Sequence, residues 1–388
     1  MGRVEDFLQQ RKEKSRLRVL RPASFRREGR IHFKDGELFD FCSNDYLGLA
    51  GHPRLAEAAQ KATEKLGAGS SASRLLSGDL EIHHQLEDKT ARLKGKESAV
   101  IFNSGYQANV GIISCLCRAS DAVFSDRLNH ASIVDGIRLS GAKLFRFRHN
   151  DTEHLESLLE EKSGSFNETF IITETVFSMD GDIAKLGRMV ELKERFGCKM
   201  IVDEAHATGI FGKDGSGMVS QEGLTDRIDF IMGTFSKALG SFGAYVACSE
   251  RMAEFLINSC RSFIYSTALP PAVVAANLAA LELLEAEPFR RKVLLENAEY
   301  FRGELGKKAF DFKGSSQIVP LIVGDDEKAV KLSAALLDGG YWCLPIRPPT
   351  VPEGRSRLRF SVTYDHSREV LRDLVELIHN SWEDICNE

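Results

Sequence analysis

Apolar residues along the chain fall into two patterns. Short, nearly unbroken apolar runs at 122–125, 143–147, 170–174, 200–203, 229–232 and 244–248 have the length and content of buried strands. Between them lie stretches with apolar residues three and four positions apart, for example 151–162 and 186–196, which predict amphipathic helices. Strands that are apolar on both faces and alternate with helices predict a mostly parallel sheet covered on each side, with ligands at the carboxyl ends of its strands.

The flanking segments read differently. Residues 4–20 predict a short amphipathic helix. After Pro22, residues 31–39 predict a hairpin turning at Asp35-Gly36, and an apolar strand then ends in Cys42-Ser-Asn-Asp-Tyr-Leu-Gly-Leu. Residues 67–78 are small and flexible around Arg74, and Asp79 is expected to cap a helix that carries Ile82, Leu86 and Leu93 on one face and stops at Gly95. His83 and His84 on that helix have no spaced partners and read as packing or surface residues. A long helix over 272–286 runs to Glu287-Pro288, after which strands at 318–323 and 357–361 alternate with helices at 326–338 and 367–382. The expected organisation is an N-terminal arm (1–45), a large domain (46–287) and a smaller C-terminal α/β domain (288–388), with 346–352 as a proline-rich loop able to carry function.

Composition narrows the function classes. The 388 residues are 43% hydrophobic and 28% charged, as in ordinary globular proteins, and a net charge of −5 argues against a protein that coats nucleic acid. The first 30 residues hold ten Lys/Arg against four Asp/Glu, so this arm is a solvated basic segment whose arginines can reach an acidic substrate. Eight scattered cysteines, several inside apolar runs, fit reduced thiols. Cys115-x-Cys117 is too closely spaced for paired zinc ligands, and no metal site is expected. No run reaches the ~18 apolar residues of a membrane span, and the start is charged, so the expected location is the cytoplasm.

The chemistry gathers at strand ends. Lys237 sits where the apolar run 228–232 gives way to Thr234, Ser236, Gly240 and Gly243, an uncommon place for lysine and a candidate position for a Schiff-base amine. The strand at 97–102 runs into Asn103-Ser-Gly-Tyr-Gln-Ala-Asn109 and a new helix. Such a glycine turn presents unpaired backbone N–H groups to an anion at Ser104, Gly105 and Tyr106. Asn129-His130, Ser178, and Asp203 with His206 follow three further strands. An amine, a carboxylate, histidines and an anion cradle together suit pyridoxal phosphate, whose ring nitrogen needs a carboxylate partner. No G-x-G-x-x-G follows the first strand of a βαβ unit, which argues against a dinucleotide site.

At these positions the chain resembles the fold-type I pyridoxal-phosphate enzymes (aspartate aminotransferase-like), and within them the α-oxoamine synthases. The motifs are Asn44-Asp-Tyr-Leu-Gly48, Ser104-Gly-Tyr-Gln-Ala-Asn109, Asn129-His-Ala-Ser132, Val202-Asp-Glu-Ala-His206, Thr234-Phe-Ser-Lys237 and Ile346-Arg-Pro-Pro-Thr350. The resemblance implies that Lys237 carries the cofactor, Asp203 partners its ring nitrogen, His206 and Ser178 lie near its phenolic oxygen and His130 stacks on its ring. It further implies that Ser104, Gly105, Tyr106 and Thr234 hold the phosphate and that Ser266 and Thr267 reach the phosphate of a neighbouring subunit in a homodimer with shared sites. Asn44 and Arg359 match contacts to an amino-acid carboxylate, and Arg18 and Thr350 match contacts to an acyl substrate. The implied reaction is decarboxylative condensation of an amino acid with an acyl thioester. Residues 73–78 and 261–271 look most like members that join L-alanine to a pimeloyl thioester, borne by CoA or an acyl-carrier protein, in biotin biosynthesis. Glycine with acetyl-CoA is the nearer alternative, and a non-catalytic subunit of this fold the remote one, although such subunits lack the lysine.

Overall fold

The computed structural model describes residues 2–387, which divide into two compact units. One comprises residues 49–178 and 183–291; the other comprises residues up to 48, 179–182 and those from 292 onward.

The first unit is built on a seven-stranded sheet: β1 (Ser98–Phe102), β2 (Ala122–Asp126), β3 (Lys143–Phe147), β4 (Thr169–Glu174), β5 (Lys199–Asp203), β6 (Phe230–Thr234) and β7 (Ala244–Cys248). Their spatial order is β1-β7-β6-β5-β4-β2-β3. Neighbours among β2 to β6 pair in parallel, whereas β7 runs antiparallel to both β6 and β1. The reversal has a simple cause: residues 235–243 are too few for the crossover that a parallel partner requires, so the chain must double back. β1, on the far side of β7, points the same way as β6, and the carboxyl ends of β1, β2, β4, β5 and β6 therefore share one edge. Except for the edge strand β3, which is only partly buried, the strands are buried on both faces, which explains their unbroken apolar runs, and Val100, Ile112, Ile133, Phe170, Met232 and Val246 lie in one core cluster.

Glycines make the close turns at this edge possible. Gly240 has φ +63°, and a Cβ there would lie 2.3 Å from the backbone nitrogen of Ala50, so the loop after β6 can pass only with no side chain at that point.

In the second unit the predicted hairpin forms from strands Arg30–Phe33 and Gly36–Asp40, with Phe33 opposite Gly36, so the turn is Lys34-Asp35 rather than Asp35-Gly36. Strand Tyr341–Trp342 adds to it in parallel, and Phe25–Arg27 pairs on the other side. A second sheet pairs Ile318–Gly324 and Pro345–Ile346 with the fully buried Ser356–Ser361. Helices Asp326–Asp338 and Arg368–Asn387 complete it. Its core holds Phe41, Phe301, Phe360 and His366, with Phe41 stacked on His366 at 4.0 Å between ring centroids.

Two local expectations change. The N-terminal helix spans Arg3–Glu13 rather than extending to 20, and none of its residues is buried, so no tertiary packing carries it further. Asp79 does not cap the next helix, which runs Glu81–Lys94 with Leu80 at the N-cap position. Its carboxylate instead binds Arg74 and His84, because a charged guanidinium is the stronger partner. His83 is buried, with Nε2 2.9 Å from the carbonyl of Leu269, and is a packing residue, as its isolation in the sequence indicates. The eight cysteines are free, five of them buried. Among the described residues no helix is long and apolar enough to cross a membrane, and no cluster of His, Cys, Asp and Glu suited to a metal occurs.

Candidate active site

Most of the candidate residues stand on the shared carboxyl edge of the first unit. Asp203 is the last residue of β5 and is buried. Its Oδ1 accepts from the backbone N–H of Ala205 at 2.8 Å and its Oδ2 from Asn109 Nδ2 at 2.9 Å. Both donors address the charged carboxylate, which can only accept. His206 follows in the same turn and is also buried. Lys237 lies in the loop after β6, which is pinned by Phe235 N–H to Gly243 carbonyl (2.9 Å) and Gly240 N–H to Lys237 carbonyl (2.9 Å), with the Phe235 ring fully buried. These anchors fix the backbone from which the amine projects.

β1 leads into helix α1 (Gly105–Leu116), capped by Ser104, whose Oγ accepts from Gln107 N at 3.2 Å. The first N–H groups of the helix are left for another acceptor. A Cβ built on Gly105 would lie 2.8 Å from Thr234 Cγ2, so this helix start sits directly against the end of β6. Thr234 Oγ1 is buried and has no hydrogen-bond partner among the described residues. An unsatisfied buried hydroxyl beside an open helix N-terminus fits a phosphate, which would accept from both. The side chain of Tyr106 turns away from this point, its hydroxyl bonding Asp135 and its ring standing edge-on to His130, with centroids 6.5 Å apart.

His130 occupies the N-cap of helix α2 (Ala131–Ser140), its Nδ1 2.8 Å from Ser132 Oγ and 3.3 Å from Ser132 N. Burial of the imidazole, with nearby Lys237, holds it below the usual histidine range despite the opposing charges of Asp203 and Asp135. Ser178 follows β4 and is half-buried. Ser266 and Thr267 engage neighbours in the same unit: Gln107 Nε2 donates to Ser266 Oγ, and Asn103 Nδ2 donates to the Thr267 carbonyl at 2.9 Å.

The remaining candidates belong to the other unit. Arg359, on strand Ser356–Ser361, is buried and donates to Ser361 Oγ (2.6 Å), Asn44 Oδ1 (3.3 Å) and Tyr46 Oη (3.3 Å). Tyr46 in turn donates to Asn44 Oδ1 at 3.0 Å, and burial keeps it a neutral phenol. A guanidinium presents a planar fork of donors that matches the geometry of a carboxylate. Arg18 and Thr350, 332 positions apart in the chain, are brought together by a 2.9 Å hydrogen bond from the guanidinium to the hydroxyl.

Four residues at these places escape sequence reasoning. Tyr46, Asn109 and Ser132 lie within the motifs but also make contacts to distant residues, Tyr46 with Arg359 and Asn109 with both Ser132 and Asp203. Glu174 ends β4 opposite Asp203 in the ladder, fully enclosed. Burial and the neighbouring Asp203 push its carboxyl well above the usual range.

The arrangement has known counterparts. The family model described as aminotransferase class I and II matches residues 36–378. An 8-amino-7-oxononanoate synthase of Geotalea daltonii is 48% identical over 91% of this chain and 90% of its own, and one of Geobacter sulfurreducens is 49% identical over 95% of each. Among solved structures, a serine palmitoyltransferase from S. paucimobilis with a bound PLP–myriocin aldimine aligns with a TM-score of 0.94 at 30% identity, covering 100% of both chains. An 8-amino-7-oxononanoate synthase from Francisella tularensis aligns with a TM-score of 0.78 at 31% identity, over 89% of this chain and 98% of that one. A family match over most of the chain, on a sheet whose carboxyl edge carries the lysine, the aspartate and the anion cradle, places this chain in the aminotransferase class I and II family, with the fold-type I architecture of its pyridoxal-phosphate enzymes.

Proposed function

We propose that the chain catalyses the pyridoxal-phosphate-dependent decarboxylative condensation of L-alanine with a pimeloyl thioester, giving 8-amino-7-oxononanoate, CO2 and the free thiol in biotin biosynthesis. The observation that carries this reading is the convergence of Lys237, the doubly bonded Asp203 carboxylate and the unsatisfied Thr234 hydroxyl at adjoining strand ends of one sheet. The choice of alanine and pimeloyl rests on the relatives at 46–50% identity, all named for that synthase activity.

Pyridoxal phosphate supplies an aldehyde for the amine and a protonated ring that stabilises negative charge at the substrate Cα. Lys237 would carry it, and Lys237 Nζ would take the proton from the alanine Cα and return one to the product. Asp203 would hold the proton on the ring nitrogen, and His206 and Ser178 would serve the phenolic oxygen. His130 would face the ring, and Ser104, Gly105, Tyr106 and Thr234 would hold the phosphate through the helix start and the threonine hydroxyl. Arg359 and Asn44 bind the alanine carboxylate, fixing which Cα bond is exposed, and Arg18 and Thr350 receive the acyl chain. The alanine Cα forms its new bond to the thioester carbonyl as the thiolate leaves, and the resulting β-keto acid loses CO2. The enzyme works as a cytoplasmic homodimer with shared sites, in which Ser266 and Thr267 reach the partner's phosphate. CoA and an acyl-carrier protein are both chemically suitable thioester carriers.

The test uses purified protein with pyridoxal phosphate, L-alanine and pimeloyl-CoA, read by product mass and thiol release, beside a reaction with glycine and acetyl-CoA. A product of the mass of 8-amino-7-oxononanoate supports the reading; thiol release with glycine alone replaces it with the glycine reaction. Borohydride reduction and peptide mapping should label Lys237, and label elsewhere overturns its assignment.

A further inference from the structure

We propose that Asn109 and Ser132 are positioning residues that hold His130 as a single neutral tautomer, with its proton on Nε2, and tie it to the carboxylate of Asp203. The inference rests on the reading of His130 as the group that faces the cofactor ring.

It follows from counting hydrogens. Asn109 is almost wholly buried, and its amide nitrogen lies 2.9 Å from Asp203 Oδ2 and 3.0 Å from Ser132 Oγ. A carboxylate oxygen can only accept, so the NH2 end of Asn109 must face it, and both of its hydrogens are then committed, one to Asp203 and one to Ser132. Ser132 is fully buried, so water does not compete for its hydroxyl. The backbone N–H of Ser132, at the start of α2, can only donate, and it is directed at His130 Nδ1 from 3.3 Å, so that nitrogen carries a lone pair rather than a hydrogen. Ser132 Oγ, 2.8 Å from the same nitrogen and accepting from Asn109, therefore gives its own hydrogen to Nδ1. A ring nitrogen that receives two donors presents its lone pair, and the proton of the neutral imidazole is therefore on Nε2.

Protonating Nδ1 would set its hydrogen against the Ser132 N–H and force the hydroxyl hydrogen away from its acceptor, disturbing the Asn109 link as well. The charged groups around the ring act in different directions: Lys237 in the loop after β6 disfavours the cation, while Asp203 at the end of β5 and Asp135 on α2 favour it. From α1, Tyr106 occupies Asp135 with its hydroxyl. Burial and the two donors on Nδ1 outweigh the acids. His130 therefore offers the site a hydrogen-bond donor, Nε2–H, and takes no proton from substrate, which leaves proton transfer at Cα to Lys237.

The test is NMR of protein labelled with 15N-histidine, with and without pyridoxal phosphate, the His130 signals being assigned among the ten histidines by their loss in His130→Gln. The expected spectrum has an unprotonated Nδ1 and a protonated Nε2 throughout the neutral pH range. Ser132→Ala should yield mixed tautomers and move the titration upward toward ordinary histidine, and Ser132→Thr, which keeps the hydroxyl, should restore the native pattern. A proton on Nδ1 in the native protein at neutral pH, or a Ser132→Ala spectrum unchanged in tautomer and titration, overturns the proposal. Should Ser132→Ala fail to fold, the native spectrum alone decides. The reading needs no turnover, so a chain inactive with alanine and pimeloyl-CoA would still show the tautomer, and the two proposals fail separately.

Discussion

Replacing Lys94 by methionine should destabilise the first unit severely. Lys94 ends helix Glu81–Lys94, and its ammonium is enclosed with the carboxylate of Glu204, their side chains 1% and 0% exposed. Its three hydrogens have three acceptors: Glu204 Oε2 at 2.6 Å, Thr208 Oγ1 at 3.1 Å and the Ser216 carbonyl. Methionine fills similar volume but provides no donor, leaving Glu204 buried without its counter-charge and with the Val219 N–H, 2.8 Å from Oε1, as a remaining donor. Removing one member of a buried, hydrogen-bonded ion pair costs ~3–5 kcal/mol. For a unit of this size that lowers Tm on the order of 10 °C. In Lys94→Met/Glu204→Gln the charge is gone while Oε1 can still accept from Val219, so most of the loss should return.

The pH dependence gives an independent check. Burial works against the Lys94 ammonium, but Glu204 and Tyr245 outweigh it and hold the group above the ordinary lysine range. A basic group raised on folding contributes stability that is complete below its unfolded value, so the native pair is indifferent to pH near neutrality. Without Lys94 the stranded Glu204 is raised on folding, the folded state binds the extra proton, and stability should recover as pH falls. Urea unfolding of the two variants and of Glu204→Gln, at neutral and mildly acidic pH, measures all of this. A loss below ~1 kcal/mol for Lys94→Met, or a double variant no more stable than the single, would refute the reasoning.

Other changes test other parts of the fold. Gly105→Ala places a Cβ 2.8 Å from Thr234 Cγ2, so the helix start must shift; pyridoxal phosphate titrated by absorbance should bind about tenfold more weakly, a loss of ~1–2 kcal/mol. Gly181→Ala meets the Ile318 carbonyl oxygen at 2.1 Å with φ at +65°, and should cost at least ~1–3 kcal/mol in urea unfolding, where a neutral result would show that the turn is mobile. Burial drives His366 down from 6.5 to about 3, so the folded state refuses a proton the unfolded chain accepts; stability present above pH 6.5 should fall by about one proton's slope as pH drops toward 3, and His366→Leu should lack that slope. Arg359→Lys gives up the fork that spans Asn44, Tyr46 and Ser361, and should raise the alanine KM by roughly 10–100-fold while leaving the preference for alanine over glycine unchanged, because both amino acids present the same carboxylate.

The strands and helices of the sheet are legible in the chain because their physics is local. Apolar runs such as 170–174 and 200–203 can only be buried on two sides, and they emerge as central strands within a residue of the expected bounds. The short strands are not legible in this way. Tyr341–Trp342 and Pro345–Ile346 are two residues each and exist through partners 300 positions away or across a proline-containing loop, so no window of sequence contains the cause of their conformation. Asp79 shows a different failure: capping is a local preference, but the charge of Arg74, five positions earlier, competes for the same carboxylate.

The site divides along the same line. Residues recognisable by type and position, such as Lys237, Asp203 and the glycine turn at Gly105, are those that stand at strand ends within motifs, where their company rather than any one residue singles them out. Asn109, Ser132 and Glu174 are ordinary residue types, and what distinguishes them is a relation: two hydrogens of one amide shared between a carboxylate and a hydroxyl, or two carboxyl groups opposed across a ladder. Those relations determine protonation. Burial, and after it the neighbouring Asp203, pushes the Glu174 carboxyl well up, and Nδ1 of His130 is bare because the Ser132 backbone N–H and hydroxyl both address it. The sequence thus names the candidate groups, whereas the proton each one holds depends on neighbours, such as Asn109 beside Asp203, that the folded sheet edge brings within reach.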